Sequence, residues 1–208
     1  AVALPSGGLE VYFDVETDPM RDFCYLHGLL ERSGVDGSTV TYISFFADTP
    51  TSDAEKTIFK QAWEYIQSKQ PSAFFFYSPY ERTIYRRLAT RYPDIASGEE
   101  VNRLFQSASS FDLYHDLVRS KMEWPTKDLS IKTIATFLGF YWRDPEPSGA
   151  ASIQWFHLWV ETGDDLMKKR ILDYNEDDCR AMIVLVDAVR ALQADARNNQ
   201  RGFEKGKA

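Results

Sequence analysis

The stretch Leu9-Glu10-Val11-Tyr12-Phe13-Asp14-Val15-Glu16-Thr17-Asp18-Pro19 constrains this chain more than any other. Its β-branched and aromatic residues predict a strand, and a side-chain period of two turns Asp14 and Glu16 to one face. Two like charges a few ångströms apart in apolar surroundings cannot both stay ionised cheaply without a counter-charge. A divalent cation is the natural one: Mg²⁺ and Mn²⁺ are hard ions that take carboxylate oxygens and keep positions open for water and phosphate. The same pair also fits the solvent face of an edge strand, so its meaning depends on which other acids join it.

Residues 22–31 and 39–47 are again strand-like, joined by the turn chemistry of Ser33-Gly34-Val35-Asp36-Gly37-Ser38, and three consecutive antiparallel strands follow. Thr51-Ser52-Asp53-Ala54-Glu55 starts a helix whose apolar face carries Ile58, Ala62, Trp63, Tyr65 and Ile66 up to Pro71. The next strand, 72–77, holds Phe74-Phe75-Phe76 and reads as buried; a strand after such a helix is the crossover of a parallel pair. Helices are predicted over 79–92, 98–106, 112–120, 130–138, 151–161 and 164–197, separated by Pro93, Pro125, Gly139 and Pro145-Glu146-Pro147-Ser148-Gly149. The architecture expected is α/β: a mixed sheet, its first three strands antiparallel, flanked by helices. Residues 1–8 are expected to be a flexible segment, 9–197 one domain, and 198–208 a polar, frayed tail.

A chain of 208 residues, 44% hydrophobic and 26% charged, can bury a full core. The net charge of -7 argues against a generally basic nucleic-acid coat, yet metal-holding acids add to that count and phosphate needs only a local basic patch. Cys24 and Cys179 read as buried apolar residues in a reducing, cytoplasmic compartment. No apolar run approaches membrane-spanning length. The chain starts at Ala1 without methionine, which suggests a piece of a longer polypeptide.

Two further stretches carry chemistry. On the last helix, Tyr174 and Asp178 lie one turn apart at the edge of a core-facing stripe formed by Leu172, Cys179, Met182, Ile183, Val186 and Val189. A phenol and a carboxylate can therefore enter one pocket, whereas Asp173, Glu176 and Asp177 read as a solvated acidic patch. Glu81, in Tyr77-Ser78-Pro79-Tyr80-Glu81, is either a dipole-favoured helix-start acid or a third metal-facing carboxylate. Asp112 is its rival for that place, with a helix N-cap as the plainer reading. Lys132 either touches phosphate or lies on the wet side of its helix, the latter slightly favoured. Trp142, Trp155, Phe156 and Trp159 read as core before base-stacking residues, and His27, His115 and His157 lack zinc spacing.

Asp14-Val15-Glu16-Thr17, the acid after the later strand and Tyr174-Asn175-Glu176-Asp177-Asp178 together resemble the DEDD exonuclease superfamily with a tyrosine-type third motif. The resemblance is most specific to the YprB-type, RNase H-like exonuclease domain, whose first motif is Asp-x-Glu-Thr and whose third is Tyr-Asn-x-x-Asp. Leu129-Ser130-Ile131-Lys132-Thr133-Ile134-Ala135 with Leu138-Gly139-Phe140 is similar to the segment between that family's second and third motifs. One departure stands out: the family's second motif carries Asn and then Phe-Asp, where this chain has Ser78 and Tyr80-Glu81.

The resemblance implies an RNase H-like fold and hydrolysis of phosphodiester bonds from the 3′ end of a nucleic acid, with a single strand as the expected substrate. It implies two Mg²⁺ or Mn²⁺ ions held by Asp14, Glu16, Glu81 and Asp178, with Tyr174 orienting water. The altered second motif leaves an alternative, a catalytically weakened module that binds nucleic acid or recruits a larger nuclease or helicase polypeptide. Nothing in the residues chooses between DNA and RNA.

Overall fold

The computed structural model describes residues 2–34 and 37–205. Strands β1 (Leu9–Asp18), β2 (Phe23–Ser33), β3 (Thr39–Phe46), β4 (Ala73–Phe76) and β5 (Ser110–Asp112) form one sheet in the order β3-β2-β1-β4-β5. The β1–β2 and β2–β3 pairs are antiparallel, and the β1–β4 and β4–β5 pairs are parallel. This is the mixed α/β sheet of the RNase H-like fold that the sequence led us to expect. Helix α1 (Ser52–Lys69), capped by the Thr51 hydroxyl, makes the crossover into β4. It is followed by α2 (Tyr80–Arg91), α3 (Gly98–Phe105), α4 (Arg119–Lys121), α5 (Ile131–Phe137), α6 (Gly149–Thr162) and α7 (Asp165–Lys205).

Three boundaries differ from expectation. Residues 112–120 are not one helix: Asp112 ends the short strand β5, and a π-helical turn, Leu113–Val118, precedes α4. A strand of three residues has no period to read, and only its pairing with Phe74–Phe76 of β4 defines it. Helix α7 runs past Arg197 to Lys205, into the expected tail, while 206–208 lie outside the described residues. The described part of segment 1–8 lies along α7, where Gln193 donates to the Val2 carbonyl and Arg190 to the Pro5 carbonyl. Among the described residues no helix is long and apolar enough to cross a membrane.

The period of two gives β1 two different tasks. Val11, Phe13 and Val15 join Phe74 and Phe76 beneath α1, α2 and α3, with Phe13 stacked on Phe74 at 5.5 Å and edge-on to Tyr85 at 5.1 Å. On the opposite face Tyr12 stacks on Phe75 at 5.0 Å and packs with Cys179, Met182 and Val186 of α7. Each large side chain removed from water here contributes roughly 2 kcal/mol. That packing presses α7 onto the β1 face that also carries Glu10, Asp14 and Glu16.

Glu10 is the first polar member of that row and is fully paired. Arg32 of β2 donates to it at 2.6 and 2.9 Å and to Asp187 of α7 at 2.7 Å, Arg190 donates to it at 2.5 Å, and the Tyr12 hydroxyl at 2.8 Å. The network ties β1, β2 and α7 at the end of the sheet away from Asp14. Arg32→Ala leaves a buried carboxylate with Arg190 and Tyr12 alone of its three partners, so we expect a loss of about 3 kcal/mol in urea denaturation, with divalent-cation binding unchanged.

Candidate functional site

Asp14 and Glu16 sit near the end of β1, just before a register shift against β2 between Glu16 and Thr17. Helix α7 brings Asp178 to them across 161 residues or more of chain, and one oxygen from each of the three carboxylates lies within 4.8 Å of the others. Thr17, Pro19, Tyr80, Gly149, Ile153 and Tyr174 complete the walls of a groove of about 310 Å³ at this place. A larger hollow of about 490 Å³, lined by Ile66, Pro71, Phe74 and Leu104 among others, has no comparable acidic cluster among the described residues.

Glu81 occupies the first turn of α2 and is 3% exposed, so it is at once a helix-start acid and a buried one. It lies outside the compact trio, but its charge is felt by Asp14 and it feels that of Asp178. Its Oε2 atom has no hydrogen-bond partner among the described residues. Asp112 is an N-cap: one oxygen accepts from the amides of Tyr114 and His115 at 3.0 Å and of Ser78 at 3.1 Å. It thereby holds the turn that delivers Glu81. Ser78 itself has a φ of 102°, a backbone conformation that Gly and Asn tolerate better than Ser.

Burial together with mutual repulsion favours the protonated forms in this cluster. Burial and the neighbouring Asp178 raise Asp14 well above the ordinary carboxylate range and push Glu16 up to about 8. Burial raises Glu81 as well. Asp178 is raised by burial but opposed by Lys132, Trp142 and Tyr174. The Trp142 indole donates to Asp178 Oδ1 at 2.8 Å, and Lys132 Nζ stands 3.5 Å from that oxygen and 2.7 Å from the Tyr174 hydroxyl. Since an ammonium only donates, Tyr174 Oη accepts from Lys132 and its own proton is directed to Asp178.

Several of these residues escaped the sequence reading. Lys132 is half-buried at the site and not on the wet side of α5, because Trp142 and Tyr174 form an aromatic wall for its ammonium at 5.6 and 4.7 Å. Trp142 and Trp155 are buried, and Trp142 serves the site through its N–H and not as a stacking surface. Asp177 is 2% exposed, not solvated: Arg143 binds it at 2.8 and 2.9 Å and reaches Glu176 at 2.9 Å and Asp173 at 3.2 Å. No local pattern announces a clamp contributed from 30 or more residues away. Gly28 did carry a signal, since an isolated glycine within a strand marks a close backbone approach.

The raised carboxylates determine how stability depends on pH in protein stripped of divalent ions. A group whose folded pKa exceeds its unfolded value stabilises fully below the unfolded value and loses that contribution up to the folded one, for Glu16 between about 4.5 and about 8. Buried His27, lowered to about 3 from 6.5, works in the opposite direction below 6.5. From pH 6.5 to 8 the thermal midpoint should therefore fall, Glu16 alone accounting for about 2 kcal/mol. Glu16→Gln should flatten the slope; an unchanged slope in thermal melts would count against the assignment.

Neither curated proteins nor solved structures provide a significant match to this chain. The family model RNase_H_2, described as RNase_H superfamily, does match, over residues 11–190 of the 208. With that span, which includes Asp14, Glu16, Glu81 and Asp178, the chain belongs to the RNase H superfamily, whose nucleases act on nucleic acid with divalent metal ions.

Proposed function

We propose that this domain is a 3′–5′ exonuclease of the DEDD type, with the tyrosine-type third motif of YprB-like domains, acting on a single-stranded 3′ end with two Mg²⁺ or Mn²⁺ ions. The observation that carries the reading is the convergence of Asp14, Glu16 and Asp178 within 4.8 Å of one another beside Tyr174. The donor set suits hard divalent cations. It is all carboxylate oxygen, its crowding makes ionisation costly without a counter-charge, and Glu81 Oε2 is buried with no partner among the described residues. Four carboxylates against the single ammonium of Lys132 leave a formal charge of about -3 when ionised, enough to call for more than one divalent ion.

In this reading Asp14, Glu16 and Asp178 would hold one cation, and Glu81 would be a ligand for the second. When bound, such ions lower the pKa of water and stabilise the leaving oxygen of a phosphodiester. Tyr174 orients the attacking water and does not take its proton, because burial and the charge of Asp178 keep the phenol protonated far above neutral pH. Lys132 has donors left over after Tyr174 and Asp178, and its ammonium suits the scissile phosphate. Tyr80, 44% exposed and hydrogen-bonded to Thr17, forms the opposite wall, where the terminal nucleotide would rest.

One observation favours a second reading, that of a weakened module which binds or recruits without efficient turnover: Glu81 stands outside the trio that the other carboxylates form. A labelled single strand separates the two. The exonuclease reading predicts Mn²⁺-dependent shortening from the 3′ end, abolished in Asp14→Ala and Asp178→Ala with the circular dichroism spectrum unchanged. Wild-type protein that binds the strand and Mn²⁺ without cutting would establish the second reading. Lys132→Met should lower the cleavage rate by roughly 10-fold or more while Mn²⁺ affinity is kept or raised, since a charge-assisted contact to phosphate contributes on the order of 1.5–3 kcal/mol.

A further inference from the structure

Asn175 lies between the two ends of the carboxylate pair and is 0% exposed. Its Nδ2 atom donates to Asp14 Oδ2 at 2.7 Å, and the same amide is within hydrogen-bonding reach of Glu16, which the Ser152 hydroxyl also serves. Its Oδ1 atom accepts from the Tyr42 hydroxyl of β3 at 2.8 Å. Ionised carboxylates only accept and so draw the NH2 end of the amide, and the Tyr42 hydroxyl, donating to the oxygen at the other end, holds it in that orientation. The amide also lies flat on the backbone of β2: a Cβ at Gly28 would come within 1.6 Å of Asn175 Oδ1. Glycine at this position makes room for that approach, and the fully buried amide is held between β2 and the acids.

We infer that Asn175 is a positioning residue for the cation site: one amide group, oriented by Tyr42 and seated on Gly28, sets the spacing of Asp14 and Glu16. One N–H of Nδ2 goes to Asp14 and the other is available to Glu16, and the oxygen that Asp14 turns to the amide is Oδ2, which leaves Oδ1 for a cation. The chemistry also explains why the residue is an amide. A lysine or arginine here would neutralise the pair and compete with a divalent ion, as an ammonium already does at Asp178. An aspartate would add a further negative charge and have no donor. A neutral double donor holds both acids and leaves their charge to the metal.

The inference rests on the cation-site reading, and the test distinguishes the failure of one from that of the other. Mn²⁺ affinity is measured by calorimetry and by the electron paramagnetic resonance of free Mn²⁺, with thermal midpoints taken in chelator. Asn175→Ala is expected to weaken Mn²⁺ binding by about 10- to 100-fold, the usual effect of losing a group that orients a metal ligand. Asn175→Asp should not rescue it, despite its equal size. Tyr42→Phe, which keeps the packing and frees the amide to turn over, should weaken binding several-fold, with cleavage restored at saturating Mn²⁺; Asp14→Ala should show no such recovery. Asn175→Ala within twofold of wild type overturns the inference, and if that variant does not fold, unchanged affinity in Tyr42→Phe overturns it as well. A wild-type protein that takes up no Mn²⁺ removes the cation site itself, by a separate observation.

Discussion

The concentration of like charge at the end of β1 is the constraint around which the rest of this molecule is arranged. Asp14, Glu16, Glu81 and Asp178 are held in a protein interior where their ionised forms repel one another, and a chain left to itself would swing them apart. They stay together because each is delivered by an element anchored elsewhere. Strand β1 is central in the sheet, the turn into α2 is held by Asp112, and α7 is fastened along most of its packed length.

The anchoring is a matter of apolar packing before it is one of polar contacts. Phe13 with Phe74 on one face of the sheet, and Tyr12 with Phe75 on the other, prevent β1 from rotating about its axis, so the row Glu10, Tyr12, Asp14, Glu16 keeps facing α7. Along that row the charge problem is solved in two different ways. Glu10 meets Arg32 and Arg190 and is neutralised within the protein. Asp14 meets the neutral amide of Asn175, Glu16 meets that amide and the neutral Ser152 hydroxyl, and the Lys132 ammonium bonds Asp178 instead. A strand that is closed at one end and hungry for cations at the other suits the metal-dependent chemistry of the RNase H superfamily.

Much of this was legible in the residues. The alternation in 9–19 placed Asp14 and Glu16 together, the phenol-to-acid spacing placed Tyr174 and Asp178 on one face of α7, and the antiparallel run of the first three strands and the parallel crossover into the fourth followed from turn and crossover rules. Local spacing failed where partners come from far away in the chain. Lys132 and Trp142 have nothing in their own neighbourhood to mark them as companions of Asp178, and Arg143 turns an acidic patch into a clamp. The strand β5 is too short to have a period, and the extent of α7 beyond Arg197 follows no stop signal.

By itself the sequence determined which side chains share a face, because the periods of strand and helix are properties of the local backbone. It also determined that two of those faces are acidic. Only the tertiary structure decided that the faces meet, how far Glu81 stands from the trio, and which neutral and cationic groups surround it. Those outcomes depend on packing between segments that lie from 36 to 161 residues apart, a quantity that no window along the chain contains.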